Sequence, residues 1–471
     1  MTKCLAAALS TAQSKDDGAD TMPETTPMKF AIATLGCKVN HYDSAIIESR
    51  LGARGMDRRD FTEIADVYVI NTCTITDRAD SESLKLARRA RRLNPAARIV
   101  MTGCFAQANP DALARTAEVD AVVGLGRLDD LERAVAHGAG ERVMVTNLRK
   151  TRAPIELGAV ALDGQTRAFL KVQEGCDQFC SFCIVPTSRG ISRSVEPRRI
   201  IAALDELHAR GFKEVTLSGV HLGGYGKDLE PAVDLGDLLE MIAERAPINR
   251  IRVSSLDPEE LTDRIIGIVA ASPKFCPHLH LPLQSGEDEI LSRMRRRYGR
   301  EFYRGRVERV IAAMPEAAIG TDLIVGFPGE SAGQFESARR FIESLPLAYF
   351  HVFPYSVRAG TTAAKLPGKV APAEIKRRAQ VMRAMGERKR ADFARRFVGT
   401  TVNVLLEERA KTGALSGYTR NYIRVLTAGP DALLNHEVEV EASLADAAQL
   451  VGQIVPAQGG DRIPASAAIF A

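Results

Sequence analysis

The chain has 471 residues, 45% hydrophobic and 26% charged, with a formal net charge of only +4 and eight cysteines. That length implies about three domains with sizeable cores. No apolar run approaches the roughly 18 residues of a membrane span, which excludes a membrane protein and leaves a cytoplasmic one as the expectation. A long chain without a secretory signal also excludes a disulfide framework.

Residues 1–27, rich in Ala, Thr, Ser and Asp, read as a disordered extension before Met28, with Cys4 as a free thiol. From 28 to 145 the pattern is strand then helix, repeated. Residues 30–34, 67–70, 99–101 and 121–123 are short apolar runs separated by helical stretches, the pattern of a parallel α/β layer. Cys37 follows the first strand, Cys73 ends the second and Cys104 the third. Carboxyl ends of parallel strands share one edge of their sheet, so three thiols distant in sequence are expected to converge there. A lone Cys at a strand end is ordinarily a small buried hydrophobe. Three on equivalent ends, each beside Gly or Thr, point instead to ligation of an iron–sulfur cluster with one iron left open.

A connector at 141–164, with Pro154 and Gly158, leads to an alternating series over 165–396 with strands at 169–172, 215–217, 251–253, 279–281, 322–325 and 350–353. Six strand and helix units make a partial (β/α)6 barrel, whose working face carries the loops after the strands. After the first strand comes Gly175-Cys176-Asp177-Gln178-Phe179-Cys180-Ser181-Phe182-Cys183. Three thiols that close together wrap one [4Fe-4S] cube and leave its fourth iron without a protein ligand. Zinc, the alternative, wants four ligands in paired short spacings, and no second pair or nearby His supplies the fourth.

Polar residues follow the other strands: Ser218 and Gly219 with Gly223 and Gly224, then Ser254 and Ser255, then Gln284, with Asp322 opening the fifth. They suit ribose or carboxylate oxygens of a ligand, or equally turn and cap chemistry. Arg189 is placed to pair a cofactor carboxylate. Cys276 reads as structural, and His278 and His280, on one face of a strand, as hydrogen-bonded scaffold. Over 397–460 short strands at 401–406, 413–419, 422–426 and 438–440, with Gly turns, make a small β barrel. Tyr418, Arg420, Asn421, Tyr422 and Arg424 mix stacking and cationic groups suited to RNA. Basic clusters at Arg88 to Arg92, Arg293 to Arg300 and Lys376 to Arg396 are singly ordinary helix faces and together suit a phosphate backbone.

The Cys-x3-Cys-x2-Cys loop, with Phe182 before its last Cys, resembles the signature of radical S-adenosylmethionine enzymes. That resemblance implies a catalytic [4Fe-4S] cluster on Cys176, Cys180 and Cys183, with S-adenosylmethionine chelating the open iron and cleaved by one electron to a 5'-deoxyadenosyl radical. Phe182, Arg189, Ser218, Gly219, Ser254, Gln284 and Asp322 are then expected around that cofactor. Leu35-Gly36-Cys37-Lys38-Val39-Asn40, Asn71-Thr72-Cys73-Thr74 and Gly103-Cys104 resemble the amino-terminal motifs of the methylthiotransferases. They imply a second [4Fe-4S] cluster on Cys37, Cys73 and Cys104 that carries or delivers sulfur. The last stretch resembles the TRAM domain with which that family grips RNA, and Gly326-Phe327-Pro328-Gly329-Glu330 another family segment.

Within the family, Leu217-Ser218-Gly219-Val220-His221-Leu222-Gly223 and His351-Val352-Phe353-Pro354-Tyr355-Ser356 look most like the branch that methylthiolates C2 of threonylcarbamoyladenosine beside the tRNA anticodon. The isopentenyladenosine branch usually has Gln where Lys38 stands. The implied partners are the tRNA anticodon stem-loop, a reducing electron donor and a sulfur donor. Thr187 follows Pro186 where the family commonly has an aromatic, so a stacking role there is not expected. Methylthiolation of isopentenyladenosine or of a ribosomal-protein aspartate stays open, as does a non-catalytic iron–sulfur RNA-binding protein.

Overall fold

Residues 27–136, 141–150, 155 and 166–456 are described by the structure, a computed structural model. Cys4 with the extension at 1–26, and Pro154 and Gly158 of the connector, lie outside the described residues. The amino-terminal sheet is parallel throughout and has six strands in the order β2 (Asp57–Arg59), β1 (Lys29–Thr34), β3 (Val67–Thr72), β4 (Arg98–Gly103), β5 (Ala121–Val123), β6 (Val143–Met144). Two more strands are present than the sequence pattern suggests, both short and both at the edges. β3 and β5 are buried along their whole length and β4 along all but its first residue, as a sheet covered on both faces requires. One apolar cluster, with Tyr68, Ile70, Ile99 and Met101, fills one face, and a second, with Phe30, Val69, Val100 and Leu131, fills the other.

The central region has the six expected parallel strands: β7 (Arg167–Glu174), β9 (Glu214–Gly219), β10 (Ile251–Val253), β11 (His278–His280), β12 (Ala318–Val325) and β13 (Tyr349–Pro354). The short β8 (Arg193–Ser194) runs antiparallel against β7. Two sheets, β10-β9-β7-β8 and β11-β12-β13, curve round one large core. Among the described residues β13 does not pair with β7, so the barrel is open on one side. The helix α1 (Lys38–Ala53) of the amino-terminal domain packs against β7 and β9 at that opening.

The last strands close into a barrel in the order β14 (Thr401–Arg409), β15 (Leu415–Thr419), β16 (Arg424–Thr427), β18 (Gln449–Ile454), β17 (Glu437–Asp446). Closure leaves no free sheet edge. Its core, with Val404, Leu415, Val425 and Leu450, extends to Phe393 and Ala394 at the end of the long helix Pro372–Arg395. Among the described residues no helix is long and apolar enough to cross a membrane.

Candidate functional site

The amino-terminal thiols do converge, and the backbone explains how. Cys37 caps the start of α1 in extended conformation, while Gly36 just before it has φ +101°, and a Cβ there would lie 2.8 Å from both Cβ and Sγ of Cys73. Only glycine permits that approach. Gly103, at φ +92°, similarly turns the chain from β4 into the short helix Cys104–Ala108. Asn40 ties the three loops together: its Nδ2 donates to Leu35 O (2.7 Å) and Thr72 O (3.0 Å), and its Oδ1 accepts from Cys104 Sγ (3.7 Å). Burial pushes the Cys104 thiol up to about 12, with Cys37 and Cys73 adding to the rise and Arg189 opposing it.

The second trio sits in the loop after β7. Gly175, at φ +75°, lets the loop pass Ile191 O at a distance no side chain would tolerate. Gln178 N–H donates to Cys176 Sγ (3.5 Å), Val185 N–H to Cys183 Sγ (3.4 Å) and Arg296 Nη1 to Cys180 Sγ (3.3 Å). Donors aimed at sulfur favour thiolates. Burial pushes the Cys176 and Cys183 thiols up to about 12, and a bound metal ion is the kind of charge that would bring such thiols down to thiolates. Each trio offers three sulfur donors, and by donor chemistry each suits an iron–sulfur cluster with an open corner.

A cavity of about 1440 Å³ runs through the barrel opening and brings most of the expected residues together. Cys37, Cys73, Cys104, Arg189, Ser218, Gly219, Ser254 and Asp322 line it; Val185, two residues past Cys183, forms part of its wall. Ser254 Oγ is buried there without a partner, as a ligand-binding hydroxyl would be. Cys176, Cys180 and Cys183 do not line it, and two of the expected cofactor contacts are also placed elsewhere. Gln284, at φ +68°, pairs with β12 through its backbone beyond the end of β11, its N–H donating to Asp322 O and its carbonyl accepting from Ile324 N–H. Phe182 packs with Ile290, Met294 and Phe327 under the thiol loop.

Arg189 has partners that its sequence position did not suggest. Its guanidinium donates to Cys104 Sγ (3.2 Å), Glu174 (2.8 Å), Asp43 (2.9 Å) and Asn40. Lys171 completes the set, 2.6 Å from Asp43 and 2.8 Å from Glu174. Two cations and two carboxylates, all enclosed, thus join α1 to β7. Asp322 does not open its strand but lies within β12, because that strand begins at Ala318. Its Oδ1 sits 3.1 Å from His280 Nε2 and 3.0 Å from His351 Nδ1. Burial works against its charge, yet the two imidazoles hold the carboxyl well below the usual range. His278, beside Tyr349 OH at 2.8 Å, is kept neutral by burial.

The end of the cavity at the amino-terminal ends of the strands is closed by the carboxy-terminal barrel. Tyr422 stacks over Arg252 (4.8 Å) and on Tyr418, which Arg167 also faces at 4.8 Å. Arg252 donates to the carbonyls of Thr419 and Arg420, and Arg420 reaches back to Asn249 O. The loop read as an RNA grip is therefore a joint between domains; sequence alone could not show that its partners lie some 170 residues earlier. The basic clusters are also largely spent within the chain: Arg91 pairs with Asp120, Arg293 with Glu289, Arg378 with Glu330, Arg388 with Glu343 and Arg395 with Asp392.

A half barrel carrying a three-cysteine loop at its working face defines a radical S-adenosylmethionine enzyme, and the sequence profile of the radical SAM superfamily matches residues 170–342. The profile described as uncharacterized protein family UPF0004 matches residues 29–124. Threonylcarbamoyladenosine tRNA methylthiotransferase MtaB of Bacillus subtilis is 38% identical over 90% of this chain and 96% of its own length. The protein of the same name from Thermotoga maritima is 32% identical over 91% of this chain and 99% of its own. The tRNA-2-methylthio-N(6)-dimethylallyladenosine synthase of Desulfitobacterium hafniense is 32% identical over 91% and 97%. Among solved structures, the radical S-adenosylmethionine methyltransferase TsrM of Kitasatospora setae shares the fold, with TM-score 0.53 at 15% identity over 72% of this chain and 77% of that one. The chain belongs to the radical S-adenosylmethionine methylthiotransferase family.

Proposed function

We propose that the chain transfers a methylthio group to C2 of threonylcarbamoyladenosine beside the tRNA anticodon, in the cytoplasm. The observation that carries this reading is a cavity lined by the thiol trio from the strand ends of the amino-terminal sheet, with the barrel-loop trio reaching to within two residues of its wall at Val185. The identity to proteins of that name over nearly the whole chain supports it. Cys176, Cys180 and Cys183 hold one [4Fe-4S] cluster, and Cys37, Cys73 and Cys104 the second. When bound, these clusters and S-adenosylmethionine supply the one-electron cleavage and the sulfur group that an aromatic C–H bond demands and no side-chain base provides.

The residues do the rest by placement. Ser218, Gly219 and Ser254, at the carboxyl ends of β9 and β10, receive polar groups of S-adenosylmethionine; the unpartnered Ser254 hydroxyl supports this. Asp322, held ionised between His280 and His351, faces the same cavity as a fixed acceptor for an N–H or O–H of cofactor or base. Arg189 serves the amino-terminal thiols rather than a cofactor carboxylate. Tyr422, Arg252 and Tyr418 shut the far end against water, which preserves a reactive radical. A reductant, a sulfur donor and the anticodon stem-loop enter from outside.

Mass spectrometry of tRNA nucleosides from cells lacking this chain tests the reading. The methylthio form of threonylcarbamoyladenosine is expected to vanish while that of isopentenyladenosine persists. The reverse outcome, or unchanged tRNA with loss of a methylthiolated ribosomal-protein aspartate, overturns it. Purified anaerobic protein is expected to hold about eight irons per chain, falling to about four when Cys37, Cys73 and Cys104 are replaced by Ala.

A further inference from the structure

One short stretch of chain, residues 356–363 after β13, touches both thiol loops. At its first end it reaches into the amino-terminal domain. Asp77 N–H donates to Ser356 Oγ (3.3 Å), and the Arg358 side chain, only 7% exposed, spans the gap from the other side. Its Nη1 donates to Thr74 O (3.2 Å) and Asp80 Oδ2 (2.6 Å), and its Nη2 to Asp77. Thr74 follows Cys73, so the guanidinium grips the backbone of that cysteine's loop. At the other end, Ala363 N–H donates to Ser181 O (2.7 Å), between Cys180 and Cys183. Thr361 ties the two ends together, its N–H (3.2 Å) and Oγ1 (2.7 Å) both donating to Arg358 O. Arg358, Thr361 and Ala363 are all buried. A planar fork holds a carbonyl and two carboxylates at fixed angles, which an ammonium cannot do. Drift of one loop from the other would leave that enclosed charge without its partners, so the contact resists it. Arg189 already ties Cys104 to Glu174 of β7; Arg358 adds a separate tie at Cys73.

We propose that Arg358 is a positioning residue that sets the Cys73 loop against the 180–183 loop, so that the sulfur-carrying centre and the radical-generating centre meet one substrate carbon. This rests on the reading above, that each trio holds a cluster. When a reaction joins groups delivered from two centres, a misplacement of about 1 Å costs on the order of a hundredfold. A side chain that ligates neither centre thereby governs whether radical formation ends in product.

Electron paramagnetic resonance of the full chain, reconstituted anaerobically and reduced, tests the proposal. Two reduced clusters held close broaden each other's signals. The wild-type spectrum is therefore expected to be broader than the sum of the spectra of the two variants in which one cysteine trio is replaced by Ala. In Arg358→Ala, with about eight irons per chain retained, that broadening is expected to weaken. The 5'-deoxyadenosine released per methylthio product should rise about tenfold or more. Arg358→Lys recovers part of both. Thr361→Val removes only the Oγ1 bond inside the turn and shifts both readings in the same direction. Unchanged broadening and product ratio in Arg358→Ala overturn the proposal, as does a wild-type spectrum equal to the sum. So does a fall to about four irons in Arg358→Ala with Thr361→Val unaffected, since Arg358 would then only shore up the cysteine loop. The cluster reading fails separately, if wild-type protein itself holds about four irons.

Discussion

Replacing Asp43 by Ala removes one of two carboxylates from an enclosed set of four charges and leaves Lys171 and Arg189 sharing Glu174 alone. One positive charge is then uncompensated where α1 meets β7. Breaking a buried pair by deleting one partner costs about 3–5 kcal/mol, and since Arg189 also donates to Cys104 Sγ, the loss falls on the joint that carries the amino-terminal thiols. Urea unfolding of anaerobic protein at neutral pH should show this loss. The double variant Asp43→Leu with Lys171→Met restores charge balance and should recover more than half of it. The pH dependence follows from the remaining groups. Glu174, against its burial, is held well below the usual carboxylate range by Arg189 and Lys171. Its contribution is present above the unfolded value of about 4.3 and fades as pH falls below that. Lys171, again against burial, is held above the usual ammonium range by Asp43 and Glu174. Its contribution is present below the unfolded value of about 10.4 and fades as pH rises beyond it. The margin of wild type over Asp43→Ala should therefore be flat between about pH 5 and 9 and shrink outside. A loss under about 1 kcal/mol, or a double variant that is merely additive, refutes the reasoning.

Two further substitutions probe the thiol trios. Gly103→Ala forces a left-handed residue and sets a Cβ 2.3 Å from Asn71 Oδ1 and 2.4 Å from Thr72 O; a stability loss of about 3 kcal/mol is expected from the unfolding midpoint, with iron lost from the amino-terminal site first. Arg296→Gln removes the cationic donor to Cys180 Sγ. A cation beside a cluster favours its reduced form, so redox titration by electron paramagnetic resonance should find the potential lowered by about 60 mV, the one-electron equivalent of about 1.4 kcal/mol.

The parts of the fold legible in the sequence are those whose cause is local. Buried parallel strands announce themselves as β-branched runs, and cysteines placed just after them mark an edge that those strands share. What escaped has non-local causes. Asp57-Arg58-Arg59 forms an edge strand without an apolar residue, because pairing with β1 decides it. The strand Gln449–Ile454 carries Gly452, whose missing side chain makes room for Glu441 O in the closed barrel and weakens the local signal. Arg189 stands a few residues past the thiol loop, yet its partners Asp43 and Asn40 come from another domain. His280 and His351 look unrelated until β12 lies between their strands and supplies Asp322.

Asn421 and Tyr422 give the closed carboxy-terminal barrel a duty besides any hold on RNA. Asn421 Nδ2 donates to Glu316 O, below the start of β12, while the ring of Tyr422 faces the Arg252 guanidinium. The module thus acts as a stopper in the base of the reaction vessel. A chain cut before Thr401 would be more than a catalyst that has lost its handle. It would be uncorked, its reactive contents meeting bulk solvent from beneath whatever substrate was offered at the mouth.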